Sequence, residues 1–152
     1  MILLELTKSQ QQIFRSKFSD VKSIADKLNK KDLYYICNGE FKDSPYIVYR
    51  DIYYDNNKPI GFIDVYSLDE KNMCIVLAVL EEYRGKGIAK KLVSKMERNI
   101  NVKSIKYIIW KADKDNIASQ KLALKMGYKF YYHTKTSKSY IKPNPSYKGT
   151  VK

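Results

Sequence analysis

Apolar positions along the chain change period several times, and each change marks a new element. Ile2–Leu6 is short and apolar enough for a first strand. Phe14, Phe18, Val21, Ala25 and Leu28 then recur every three or four residues, the stripe of an amphipathic helix. Ser19 and Asp20 inside that stripe are capping residues, so one bent helix and two helices are both open. Leu33–Cys37 carries no decisive period, and Asn38, Gly39, Ser44 and Pro45 mark a loop. Tyr46–Tyr54, Pro59–Tyr66 and Asn72–Val79 are β-rich segments divided by Asp55-Asn56-Asn57 and Ser67–Lys71, which predicts an antiparallel meander. The third segment is the most apolar and is expected at the sheet centre, covered on both sides.

The helical period returns with Ile88, Ala89, Leu92, Val93, Met96 and Ile100. Ile105–Trp110 reads as a buried strand. Asp113, Asp115 and Asn116 precede a second helical segment with Ile117, Ala118, Leu122 and Met126, and Gly127 stands where a helix end favours a left-handed residue. Tyr128–Thr134 and a weaker segment near Ser139–Ile141 complete the strands. Pro143 and Pro145 predict a loose basic tail over residues 143–152, after a single domain over residues 1–142. Strands alternating with helices in this order predict a mixed α/β sheet.

Length agrees with that reading: 152 residues make one domain. The longest apolar run, Met73–Leu80, has eight residues, and a membrane span needs about 20. Glu5 falls too early for a signal peptide, and Cys37 and Cys74 form neither a disulfide framework nor a metal spacing. The expectation is a cytoplasmic protein with reduced thiols and no metal.

Charge is unevenly placed. Residues 1–76 hold 9 Lys, 2 Arg and 11 acidic residues and are neutral, so the whole net charge of +13 lies in residues 77–152. Residues 128–152 contribute +6 and contain no acid. An anionic partner of the second half fits this asymmetry: nucleic acid, a phosphorylated cofactor or an acidic surface. A general bias of the chain towards Lys explains the charge as well.

The chemistry is concentrated in Val79-Leu-Glu-Glu-Tyr-Arg-Gly-Lys-Gly-Ile-Ala89, a strand that turns directly into a helix. Gly85 and Gly87 let the backbone approach an anion closely. The first amides of the helix, at the positive end of its dipole, form a cradle for a diphosphate. Arg84 and Lys86 add positive charge. A P-loop needs four residues between its glycines, whereas only Lys86 separates these two; a dinucleotide fingerprint needs a third glycine where Lys90 stands.

Arg84-Gly-Lys-Gly-Ile-Ala89 resembles the Arg/Gln-x-x-Gly-x-Gly/Ala signature of the GCN5-related N-acetyltransferase (GNAT) superfamily. Asn116-Ile-Ala-Ser119, continuing through Leu122 to Lys125-Met-Gly-Tyr128, is similar to that family's Asn-x-x-Ala/Ser helix with its Gly-Phe/Tyr ending. The resemblance is best from about Tyr46 to Tyr132. It implies the acyl-CoA N-acyltransferase fold: a splayed mixed sheet of about six to seven strands with flanking helices. It further implies acetyl-CoA as co-substrate. The pantetheine arm would lie against the backbone of Leu77, Ala78 and Val79, and the diphosphate on residues Arg84, Gly85, Lys86, Gly87, Ile88 and Ala89. Asn116 and Ser119 would meet the pantetheine or the phosphates, and Lys125 the ribose phosphate.

The implied reaction is direct attack of a primary amine on the thioester in a ternary complex, with an amide near Val79 stabilising the oxyanion. The acceptor is a small-molecule amine, a protein amine or an aminoacyl-tRNA. Two positions depart from the family: Met73 stands where histone-type members place a glutamate base, and Ala123 where many bacterial members place a tyrosine acid. The weak catalytic candidates are Asp64, which interrupts an apolar strand and is either in the site or facing solvent, and Tyr132, as a donor to the departing thiolate. His133 reads as a solvated strand residue. Cys74 is a rival nucleophile, although a cysteine in an apolar strand is usually inert. Tyr46, Tyr49, Tyr53 and Tyr54 suit either an aromatic acceptor wall or an ordinary core. The alternative function is a non-catalytic module of the same fold that binds nucleic acid through its basic second half. Monomer and homodimer are both open.

Overall fold

The computed structural model describes residues 6–28 and 43–149. The expected first strand, apart from Leu6, and the ambiguous segment Leu33–Cys37 lie outside them.

Two helices open the described chain, α1 (Lys8–Ser16) and α2 (Phe18–Ala25). A reciprocal cap starts α1: Thr7 Oγ1 accepts from Gln10 N, and Gln10 Oε1 accepts from Thr7 N. The apolar stripe is divided at Lys17, which ends α1 and precedes α2. Val21, Ile24 and Ala25 of α2 are buried.

β1 (Ile47–Asp55), β2 (Lys58–Ser67) and β3 (Asn72–Val79) form the expected meander. Asn56 and Asn57 both have positive φ, 47° and 66°, the conformation a tight two-residue hairpin needs. β3 is central and buried on both sides, as its composition predicts; β2 is buried from Ile60 to Val65 as well. A short 3-10 turn (Glu81–Tyr83) leads to α3 (Ile88–Asn99), then β4 (Tyr107–Asp113), α4 (Ile117–Lys125), β5 (Lys129–His133) and β6 (Ser137–Pro143).

The six strands lie in the order β1-β2-β3-β4-β6-β5. β3 and β4 are parallel, and all other neighbours are antiparallel. Helices cover both faces. Arg50 of β1 donates to the Phe14 carbonyl of α1, whereas the next residue, Asp51, pairs with Lys95 of α3. Adjacent strand residues point to opposite faces, so α1 and α3 lie on opposite sides.

The loose tail expected from Pro143 is not what forms over residues 143–149. The buried Asn144 donates from Nδ2 to the carbonyls of Val102 and Ile105, at 2.6 and 2.7 Å. Ser146 Oγ donates to Val102 O, and Lys148 N to Lys103 O. The Asn144 side chain thus pairs the carbonyls of Val102, shared with Ser146 Oγ, and of Ile105, and this fastens the segment.

Candidate active site

Strands β3 and β4 pair only from Asn72/Tyr107 to Ile75/Trp110 and then part. Beyond Ile75, β3 has β2 on one side and open space on the other. Leu80 N donates to Ile60 O across the β2–β3 ladder. Peptide groups of an antiparallel strand alternate in direction, so those of Ala78 also serve β2, while those of Leu77 and the N–H of Val79 face the gap. Of the three backbones expected at the cofactor arm, Leu77 faces the gap, Val79 offers it only its N–H because its carbonyl accepts from Arg84 Nε, and Ala78 is occupied by β2.

The gap opens into a cleft of about 400 Å³. Leu77, Ala78 and Val79 form one wall. Arg84, Gly85, Gly87, Ile88 and Ala89 form the end, and Asn116, Ser119 and Lys125 the opposite wall. The lining contains Arg84, Lys90 and Lys125 and no acidic residue. Eleven of the twelve residues expected at the cofactor thus converge on one space; Lys86 does not line it, and its ammonium sits 5.4 Å from the Tyr83 ring centre.

The end wall follows from local backbone chemistry. Gly85 and Gly87 have φ of +79° and +77°, and a Cβ at either would meet nothing within 4 Å. Conformation, and not crowding, requires glycine there. Gly87 is the N-cap of α3, makes no side-chain cap, and no acid occupies the first turn. The first N–H groups of α3 therefore point at the cleft with the positive dipole end. Arg84 Nε donates to Val79 O at 2.9 Å and closes the turn.

On the opposite wall, Asn116 caps α4 by accepting from Ser119 N, and Ser119 Oγ accepts from Trp110 Nε1 at 2.9 Å. Sequence reasoning missed Tyr83, Lys90, Trp110, Ala118 and Leu122, which also line the cleft. Trp110 carried a signal, because it is the last apolar residue of its predicted strand and the chain's one tryptophan.

The catalytic candidates lie elsewhere. Asp64 is fully buried, facing neither solvent nor the cleft. Arg50 holds it with two hydrogen bonds, and the Tyr66 hydroxyl donates a third at 2.9 Å. Burial pushes its carboxyl up, and these donors oppose that shift. Burial and the Asp64 charge push the Tyr66 phenol up. Tyr132 is not on the strand beside β4, because β6 intervenes. It is exposed on the edge, two strand spacings or roughly 10 Å from β4. Met73 and Ala123 are wholly buried. Cys74 is buried in the paired part of β3. The tyrosines proposed as an acceptor wall stand before or on β1, the opposite sheet edge, and do not line the cleft. His133 is exposed and stacks on Phe130.

A sheet split between its two parallel strands, beside a glycine turn and an uncapped helix start, is a distinctive arrangement, and a sequence comparison decides its family. The profile of the acetyltransferase (GNAT) family matches residues 7–128. The chain belongs to the GNAT acetyltransferase family. Among curated proteins, no sequence matches. Among solved structures, this GNAT chain is similar to smu.2055 of Streptococcus mutans UA159, with 14% identity over 84% of this chain and 94% of that one and a TM-score of 0.65. It is similar to the ribosomal-protein-S18-alanine N-acetyltransferase of Escherichia coli, with 11% identity, coverage of 90% and 91%, and a TM-score of 0.62. An acetyltransferase of Thermus thermophilus gives 13% identity and a TM-score of 0.54, and the match covers 65% of each chain. At such identities these structures speak for the GNAT fold alone.

Proposed function

We propose that the protein is an N-acetyltransferase that binds acetyl-CoA in the β3–β4 cleft and transfers the acetyl group to a primary amine. The carrying observation is the coincidence of three features in one cleft: the outward peptide groups of Leu77 with the outward N–H of Val79, the Gly85–Gly87 turn, and a lining with cations and no carboxylate. The outward strand backbone suits an extended amide-bearing arm. The start of α3 suits a diphosphate. Asn116 and Ser119 suit the arm from the opposite wall, and Lys125 suits a phosphate on the ribose.

Acetyl-CoA supplies the activated thioester. The Val79 N–H faces the gap, where it suits the oxygen that gains charge as the amine nitrogen attacks the carbonyl carbon. The C–S bond then breaks, the thiolate leaves, and the amine proton passes to solvent. The amine must be neutral to attack. For a lysine, deprotonation at pH 7 costs roughly 4.6 kcal/mol, against about 1 kcal/mol for a chain N-terminus. A lysine acceptor therefore needs more help from its surroundings than an α-amine.

Calorimetry with acetyl-CoA, followed by thiol release across a panel of α-amines, lysine peptides, polyamines and aminoacyl-tRNA, tests the proposal. Saturable heat and amine-dependent thiol release are expected. Absence of heat overturns the site, and heat without thiol release for any amine overturns the reaction.

A further inference from the structure

β5 is exposed along its whole length. Phe130, Tyr131 and Tyr132 are 53%, 54% and 58% exposed, three adjacent large rings in water. Scattered exposed aromatics need no explanation, but a contiguous group marks an interaction surface. β5 is a sheet edge, paired only to β6, with a register shift between Phe130 and Tyr132. Phe130 lies edge-on to Tyr140 at 5.9 Å and nearly parallel to His133 at 6.2 Å. Tyr131 and Tyr132 tilt against each other at 6.3 Å.

Cations frame these rings. Lys129 is on the strand, Lys135 in the following turn, and Lys138 on β6 opposite His133; all three are exposed. None forms an ion pair among the described residues. Lys142, the remaining lysine of this hairpin, is bound to Glu97 and does not belong to the surface. The acids nearest in sequence, Asp113 and Asp115, precede α4, and Asp113 meets only the Ser137 end of the hairpin.

This surface requires a partner that is both anionic and able to stack. A second copy of the edge satisfies the rings but sets Lys129, Lys135 and Lys138 against their equivalents on a chain of net charge +13. A duplex supplies phosphates but keeps its bases stacked inside. Only unpaired nucleotides offer both faces of a base to the rings and phosphates to the lysines. We propose that the β5 edge is a binding platform for single-stranded nucleic acid, with Phe130, Tyr131 and Tyr132 stacking bases and Lys129, Lys135 and Lys138 holding the backbone. None of these residues lines the cleft, so the inference stands apart from the acetyl-transfer proposal.

Fluorescence anisotropy of the full chain with a labelled 12-nucleotide single-stranded RNA, at two salt concentrations, tests this. Tyr131→Ser/Tyr132→Ser is expected to weaken binding at least tenfold. Lys135→Glu/Lys138→Glu should weaken it similarly and flatten the salt dependence. Lys91→Glu, an exposed charge on α3, should change it less than twofold. All substituted side chains are exposed, and circular dichroism verifies folding of each variant. Wild-type affinity in the tyrosine variant overturns the proposal, as does equal affinity for a duplex of the same length. Sedimentation of the wild type as a dimer that the tyrosine variant abolishes also overturns it, assigning the rings to a second copy.

Discussion

Arg50 and Asp64 face each other across the β1–β2 ladder, joined by hydrogen bonds of 2.8 and 2.9 Å with neither side chain exposed. Arg50 also donates to Phe14 O and Asp43, and its guanidinium lies 5.3 Å from the Phe18 ring centre. The pair thus fastens the two N-terminal helices to the sheet. Removing Asp64 leaves the buried guanidinium with only the partly exposed Asp43 as counter-charge, and breaking such a buried pair costs about 3–5 kcal/mol. Asp64→Asn should lower urea stability by that order, and Arg50→Met/Asp64→Leu should recover much of the loss. Acetyl transfer per folded molecule should stay within twofold in Asp64→Asn; a far larger fall would restore Asp64 as a base.

Gly87→Glu should abolish measurable binding of coenzyme A. Its φ of +77° disfavours any side chain by roughly 1–2 kcal/mol, and the carboxylate repels a diphosphate at the same helix start. Gly87→Ala adds the strain without the charge and should weaken binding less. Calorimetry of the three proteins separates the two effects; equal affinities would contradict the proposed cradle.

Lys125 is exposed at the cleft wall. In the proposed pose it answers the ribose phosphate. Lys125→Ala should weaken coenzyme A about tenfold and leave dephospho-coenzyme A nearly unchanged, as read by competition binding. An equal loss for both ligands would move Lys125 away from that phosphate.

Trp110 is the chain's only tryptophan and lines the cleft. Titration with coenzyme A should change its emission with the same dissociation constant that calorimetry gives. Unchanged emission at saturation would place the ligand outside the β3–β4 gap.

Tyr128 packs edge-on against Trp110 at 5.3 Å, and its buried hydroxyl has no hydrogen-bond partner among the described residues. Burial pushes its phenol up, and Tyr49 is pushed up to about 12, chiefly by burial. Both groups favour the neutral form in the folded state. Their contribution is complete below pH 10 and is lost as pH rises beyond it. Tyr128→Phe should be neutral or up to about 1 kcal/mol stabilising at pH 7. It should also make the alkaline loss of stability shallower, measured by urea midpoints from pH 8 to 12.

Elements with a strong period were legible: α3, α4, the meander and the centrality of β3 all formed near their expected bounds. So was most of the cleft, because its residues lie in two short stretches whose local chemistry is self-contained. The legible part stops at Asp64, Tyr132 and Asn144. Asp64 looked like an interruption in an apolar strand because Arg50, 14 residues away, supplies its compensation. Tyr132 looked close to the site until the hairpin placed β6 between it and β4. Pro143 and Pro145 implied a loose end, whereas Asn144 reaches carbonyls up to 42 residues distant.

Residue order alone determined where helices and strands run, where glycines permit positive φ, and which half of the chain is cationic. Each of these depends on neighbours a few positions apart or on plain summation. Tertiary structure alone decided the strand order, the parting of β3 from β4, the burial of the Arg50–Asp64 pair and the exposure of the β5 rings. Those depend on which distant segments share a surface, and burial and pairing across that surface outweigh what any local pattern encodes.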